Sequence, residues 1–356
     1  MTVTRPEQSA QAEKKFCSDT LPKVSRTFAI CIRLLPPDLE HSVLIAYLLC
    51  RIADTIEDTT SLNGVAKKRL LALFSDCLQP NGPDSGPLRE AFESPRDDDE
   101  LLAREADVVL REFKRLSESR QNAIRPWVME MCAGMADFVS SPGSDESGFV
   151  TSLDTTEDLE RYCYYVAGTV GHMLTSLFAQ VTPPIPEDEY ERMKALATSF
   201  GLGLQLTNII KDVADDRQRG HNYVPRQLCL IAGVEPKDVQ DGKYVHESRE
   251  VVNALVDKAK GHLCDALEYS MCIPGRQRGI RAFCLTSLFF AVKTLRLAQQ
   301  DDTVLKPTQK LKISRSAVRR TVVTTGLIAS NNTLVKAYFR RLAGPVWWSR
   351  YLATRF

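Results

Sequence analysis

Proline breaks this chain into segments, leaving several windows of about 30 to 40 residues free of the strongest helix breaker. Those windows are rich in Leu, Ala, Glu, Lys and Arg, all good helix formers. Their apolar residues recur at spacings of three and four. Leu39, Val43, Leu44, Tyr47, Leu48 and Ile52 do so after Pro36 and Pro37, with Asp38 as the expected N-cap. Met193, Leu196, Phe200, Leu204, Thr207 and Ile210 do so after Pro186. No run alternates with period two between turn signals, so strands are not expected. The reading is an all-α chain of ten or more helices. The proline-rich stretch from Pro80 to Pro95 is expected to be a surface loop, and no linker is long enough to divide residues 1–356 into separate domains.

Composition excludes several classes. A net charge of +1 gives no global attraction to nucleic acid, so any phosphate must meet a local cluster. The ten cysteines are scattered singly and form no C-x-x-C pair, which argues against a zinc ribbon or a redox motif. They are expected to be buried free thiols of a reducing, cytoplasmic setting. The polar N-terminus has no apolar signal region, and no segment approaches the roughly 20 apolar residues of a membrane span. The protein is expected to be soluble or peripheral on a membrane, and monomeric.

Two carboxylate clusters stand out. In D-T-I-E-D, Asp54, Glu57 and Asp58 share one helical face, where like charges repel unless a cation joins them. By itself the cluster is equally an exposed helix end. The second lies in G-L-G-L-Q-L-T-N-I-I-K-D-V-A-D-D, where Asn208, Asp212 and Asp216 fall at i, i+4 and i+8 beside Gln205. Leu204, Leu206, Ile209 and Ile210 flank that stripe, so it is expected to face a buried cavity. Two such stripes read as two walls of one site, and oxygen ligands without His or Cys suit Mg²⁺ bridging to substrate phosphates. Ser25, Arg26, Thr27, Arg51, Lys211, Arg217 and Arg219 are candidate donors to diphosphate, or else ordinary salt-bridge partners of the acids. In Y-C-Y-Y-V-A-G-T-V-G, Tyr162, Val166 and Val170 are spaced by four and the small residues leave a groove. The groove suits either an apolar chain or close helix packing.

In this order the segments resemble the squalene/phytoene synthase family from about Phe16 to about Val322. The matching pieces are S-R-T-F at Ser25–Phe28, Y-L-L-C-R-I-A-D-T-I-E-D at Tyr47–Asp58, Y-C-Y-Y-V-A-G-T-V-G at Tyr162–Gly171 and Q-L-T-N-I-I-K-D-V-A-D-D at Gln205–Asp216, with H-N-Y-V-P at His221–Pro225 and R-A-F-C at Arg281–Cys284. D-T-I-E-D and Y-C-Y-Y-V-A-G resemble squalene synthases, and K-I-S-R resembles their bacterial members.

The resemblance implies a single all-α isoprenoid-synthase domain around a central cavity. It implies two farnesyl diphosphates, with Mg²⁺ held by Asp54, Glu57, Asp58, Asn208, Asp212 and Asp216. Condensation to presqualene diphosphate is then followed by reduction with NADPH to squalene. Tyr162 matches the tyrosine that assists the first step, alongside Asp54, Asp58, Asp212 and Asp216. Ser25, Arg26, Thr27, Phe28, Tyr47, Arg51, Val166, Val170, Gln205 and Phe283 match substrate positions, although Phe283 is equally plain core.

There is no dinucleotide fingerprint, since Gly201 and Gly203 give only G-x-G, with Thr207 near where a third Gly is sought. The resemblance puts NADPH instead on Arg26, Arg51, Lys211, Lys312 and Arg315. Ser314 interrupts the K-I-R of animal squalene synthases, so a relative that stops at presqualene diphosphate, dehydrosqualene or phytoene is the alternative. A silent prenyl-binding module is disfavoured by the complete aspartate motifs. The tail V-W-W-S-R-Y-L-A-T-R-F, within residues 345–356, carries Trp347, Trp348, Tyr351 and Phe356, and the chain is expected to lack the C-terminal membrane helix of eukaryotic squalene synthases. It either dips into a membrane interface or packs on the body.

Overall fold

Helices account for nearly all of the regular structure, and no named strand occurs among the described residues, as the periodicity predicts. The computed structural model describes residues 5–139, 146, 152–300, 302–306 and 311–353. The helices group into two compact units.

The first unit takes the helices up to Phe138 together with Ser176–Gln180. Its helices are α1 (Arg5–Val24), α2 (Arg26–Ile32), α3 (Pro37–Asp58), α4 (Gly64–Cys77), α5 (Gly86–Ala91), α6 (Asp98–Arg104), α7 (Ala106–Arg115) and α8 (Glu118–Phe138). Helix α3 starts earlier than expected. Pro36 takes the N-cap position and Pro37 the first helical turn, where its missing N–H costs nothing. Asp38 therefore lies in the first turn, favourable to the helix dipole, and is not the cap. The proline-rich stretch is not all loop, because α5 forms within it and buries Leu88.

The end of α3 is pinned. Thr59 donates from Oγ1 to Glu100 Oε1 at 2.9 Å, and Arg96 Nη2 donates to Thr59 Oγ1 at 3.0 Å. Asp97 caps α6 by accepting from Glu100 N, so the run Asp97–Asp99 sits where a helix N-terminus favours acids.

The second unit contains α9 (Thr156–Cys163), a π-helical turn (Tyr164–Gly168), the first turns of α10 (Thr169–Phe178), α11 (Glu187–Gln218), α12 (Arg226–Ala232), α13 (Pro236–Gln240), α14 (Val245–Cys272), α15 (Arg278–Gln300), α16 (Arg315–Ile328), α17 (Asn332–Ala343) and α18 (Pro345–Ala353). Helix α11 packs along α14, and α15 is buried without interruption from Ile280 to Val292.

Small residues set one close crossing. A Cβ at Gly171 would stand 2.0 Å from the Ala197 carbonyl oxygen, and one at Gly201 would stand 2.1 Å from that of Ala167. Gly171 and Gly201 therefore serve backbone packing. All ten cysteines are buried, and none forms a disulfide.

Candidate active site

In the first unit the S-R-T-F segment and the first acidic motif come together. Ser25 is the N-cap of α2, accepting from Phe28 N at 3.2 Å, and leaves Arg26 and Thr27 exposed. The Phe28 ring lies 5.3 Å from that of Tyr47. Arg51, one turn along α3, donates from Nη2 to Tyr47 Oη at 3.1 Å and to the Val24 carbonyl at 3.4 Å. Its guanidinium is 4.0 Å from Asp54 and 3.7 Å from Asp99.

The acids of α3 are not equivalent. Asp54 is partly exposed and Asp58 exposed, while Glu57 is only 2 % exposed. The two aspartates thus share an accessible edge that Glu57 does not reach. Burial pushes the Asp54 carboxyl up to about 7. Arg51 opposes the shift, and Asp58 and Asp99 reinforce it. Asp99 is raised as well, by burial first, with Arg51 opposing and Asp97 and Asp58 adding to it. Asp99 was not singled out by motif reasoning, since no spacing links α6 to α3. The D-D-D run was its only signal.

In the second unit, Gln205, Asn208, Asp212 and Asp216 run along one side of α11 as predicted. The stripe is more open than a buried cavity wall, with Asn208 exposed and the other three partly exposed. Leu206, Ile209, Ile210, Val213 and Ala214 are buried behind it. Lys211 pairs with Asp212 at 2.9 Å. Arg217 is committed to Asp241 at 2.8 Å, the ordinary salt-bridge role.

Tyr162 ends α9 at 4 % exposure. It donates to Tyr223 Oη at 2.9 Å and stacks on that ring at 4.7 Å. Tyr223 Oη in turn lies 3.0 Å from His221 Nδ1, and Gln240 Nε2 donates to the His221 carbonyl at 2.8 Å. Tyr223 and His221 belong to the H-N-Y-V-P segment and were missed as site residues, although the segment itself was recognised. Val166 lies within the π-helical turn and Val170 just after it, and both are partly exposed. Phe283 is 2 % exposed within the buried run of α15.

Among the described residues no three His, Cys, Asp or Glu converge as a protein-only metal cage. Mg²⁺ does not need one, because it typically takes one or two carboxylates and completes its shell with water and substrate phosphate. A partly exposed Asp54 crowded by Asp58 and Asp99 is the environment that a divalent cation relieves, so the acids fit that ion. For a phosphate-rich cofactor, Arg26, Lys312 and Arg315 are exposed, and no carboxylate pairs with them among the described residues. Ser314, which splits Lys312 from Arg315, is the N-cap of α16 and accepts from Ala317 N at 3.2 Å.

The squalene/phytoene synthase model matches residues 21–317. The chain belongs to that family. It is 31 % identical over 312 residues to the squalene synthase of Eremothecium gossypii, covering 86 % of this chain and 67 % of that protein. It is 30 % identical to that of Yarrowia lipolytica, covering 94 % and 71 %, and 29 % identical to that of Mus musculus, covering 93 % and 73 %. Among solved structures, TcSQS in complex with the ligand BPH1237 superimposes with a TM-score of 0.77 at 26 % identity, over 96 % of both chains. A dehydrosqualene synthase in complex with ligand shares the fold at a TM-score of 0.58 and 21 % identity, over 94 % of this chain and 99 % of that one. Like its family, the chain is an all-α prenyltransferase of isoprenoid biosynthesis.

Proposed function

We propose that this chain is a squalene synthase that condenses two farnesyl diphosphates head to head to presqualene diphosphate and then reduces that intermediate to squalene. The observation that carries the reading is Arg51 set between Asp54 and Tyr47, whose ring meets Phe28 of the S-R-T-F segment, in a chain whose curated relatives are squalene synthases. Residues 1–356 are read as one functional domain, with Asp54, Asp58, Asp212 and Asp216 as the essential carboxylates.

Asp54 and Asp58 on α3, with Asp212, Asp216 and Asn208 on α11, would hold Mg²⁺, and Glu57 would support the first set from its buried position. Bound Mg²⁺ supplies positive charge that makes diphosphate a better leaving group. Arg51, fixed by Tyr47, would add a charged donor to the same oxygens. Ser25, Arg26, Thr27, Gln205 and Lys211 would complete the polar contacts. Phe28, Tyr47, Val166, Val170 and Phe283 would line the path of the apolar chains and keep water from the allylic cation. Tyr162, its hydroxyl oriented by Tyr223, would assist cyclopropane closure, as general base or by stabilising cation charge through its ring. Arg26, Arg51, Lys211, Lys312 and Arg315 would grip the phosphates of NADPH, which supplies hydride.

Incubation with farnesyl diphosphate and Mg²⁺ tests the reading. Squalene is expected with NADPH, and presqualene diphosphate or a dehydrogenated C30 product without it. The same unsaturated hydrocarbon under both conditions would replace squalene synthase with the non-reducing relative, dehydrosqualene or phytoene synthase. No product under either condition would overturn the condensation itself.

A further inference from the structure

Charge is distributed unevenly along the chain. From Thr303 to the end there are eleven Lys and Arg and no Asp or Glu, while the whole chain is only +1. The C-terminal segment is therefore strongly basic, and everything before it carries the compensating acidic excess. Much of that basic charge falls on α16 and α17, two helices joined by only three residues, Ala329–Asn331.

The two helices run back along each other. Arg319 and Arg320 of α16 and Arg341 of α17 line one cleft of about 480 Å³ with Lys293, Tyr338 and Val323. Lys293 is turned inward, donating to Thr321 Oγ1, with its ammonium 6.0 Å from the Tyr338 ring centroid. Arg319, Arg320 and Arg341 are exposed, and no carboxylate pairs with them among the described residues. No acidic side chain lines the cleft.

Toward the turn between the helices the same surface becomes apolar. Val323 is 63 % exposed, Leu327 72 % and Leu334 50 %. At 1.5 Å per residue, Leu327 lies about 12 Å along α16 from Arg319, and Leu334 about 10 Å along α17 from Arg341. The hairpin thus presents an apolar tip with a ring of unpaired arginines set back from it by roughly the depth over which a surface-bound helix buries its apolar face.

We infer that the α16–α17 hairpin is a docking surface for an anionic lipid bilayer, with Leu327 and Leu334 entering the acyl boundary and Arg319, Arg320 and Arg341 receiving headgroup phosphates. Unpaired cations opposite anionic headgroups supply the charge complementarity, and the exposed leucines supply the apolar term that a soluble anion would not need. The expected tail contact differs from this. Trp347 of α18 is buried, donating to Cys264 Sγ at 3.3 Å and packing edge-on to Phe339. The Tyr351 side chain and Phe356 lie outside the described residues. The inference rests on the squalene reading only for its motive, the release of a water-insoluble hydrocarbon. Lipid binding is measured without substrate, so either can fail alone.

The test is co-sedimentation of the full chain with vesicles of phosphatidylcholine, alone or mixed with phosphatidylglycerol. Binding is expected to the mixed vesicles only and should weaken as salt rises. The triple variant Arg319→Glu, Arg320→Glu, Arg341→Glu should lower the partition constant on the order of 100-fold, as three basic contacts near a charged surface imply. Leu327→Ser with Leu334→Ser should remove the binding that survives high salt. Both variants should keep the wild-type melting temperature and wild-type turnover of detergent-dispersed substrate. Equal binding to neutral and anionic vesicles, or unchanged binding by the triple variant, overturns the inference. So does a triple variant that binds vesicles normally but has a raised KM for NADPH, which would give the cleft to the dinucleotide. Saturable inorganic phosphate binding without vesicle binding would give it to a soluble anion, with the same consequence.

Discussion

Arg51 shows how one side chain gathers a site. Five residues of the first unit bear on it: Val24, Tyr47, Asp54, Asp99 and, through the Tyr47 ring, Phe28. A Lys would keep the charge but lose the fork that reaches Tyr47 and two carboxylates at once. Tyr162 is the corresponding case in the second unit. Its hydroxyl is directed by Tyr223, so the two tyrosines should be separable by mutation. Tyr162→Phe should slow presqualene diphosphate formation by roughly 100-fold or more, the range for loss of a general base. Tyr223→Phe should cost only about tenfold, the worth of one orienting hydrogen bond. Single-turnover rates of the first half-reaction would read this. An undiminished rate in Tyr162→Phe would remove its hydroxyl from the chemistry and leave the departing diphosphate as the base.

Helix contacts decide where those side chains stand. The π-helical turn Tyr164–Gly168 accommodates an extra residue between Tyr162 and Val170, and Gly201 of α11 packs directly against it. Gly201→Ala places a methyl 2.1 Å from the Ala167 carbonyl oxygen, and Gly171→Ala one 2.0 Å from that of Ala197. Each should destabilise by about 1–3 kcal/mol in denaturant unfolding. Wild-type stability in both would mean that the helices part without cost.

The α3–α6 junction gives a pH dependence. Hydrogen bonding from Arg96 holds the Glu100 carboxyl down to about 2, with its backbone and Thr59 contacts helping despite burial. A carboxylate depressed in the folded state stabilises above its unfolded value, and the contribution is lost as pH falls from about 5 toward about 2. Glu100→Gln should flatten that acid limb and cost about 1–2 kcal/mol near neutrality, the lower figure if solvent at the half-exposed Arg96 screens the pair. An unchanged acid limb would place the titration elsewhere.

At the scale of the whole molecule, both carboxylate motifs are proposed to act on substrate diphosphate. Asp54→Ala and Asp212→Ala should each reduce kcat by at least about 100-fold, and a chelator should abolish turnover until Mg²⁺ is restored. Groups acting on one transition state are not additive, so the double variant should lose far less than the product of the single losses. Fully multiplicative losses would mean that the motifs act in separate steps. None of the described helices is long and apolar enough to cross a membrane.

Period and breaker residues in the sequence determined the helical class, because Leu39 to Ile52 and Met193 to Ile210 can bury an apolar stripe only at 3.6 residues per turn. The acidic stripe of α11 was legible for the same reason, since i, i+4 and i+8 are neighbours on any helix. What tertiary structure decided lies between elements, where local spacing carries no information. Asp99 meets Arg51 from another helix, and Tyr223 reaches Tyr162 from a loop sixty-one residues on. Glu57 is buried while Asp58, its neighbour, is exposed, because packing and not periodicity sets the edge of the core. Trp347 reads identically to a membrane anchor or a core residue until Phe339 and Cys264 are seen to cover it. The small residues of the Tyr162–Gly171 segment allowed a channel or a contact. The carbonyls of Ala197 and Ala167 settled Gly171 and Gly201 as contacts, because two helix backbones that close leave no room for a Cβ.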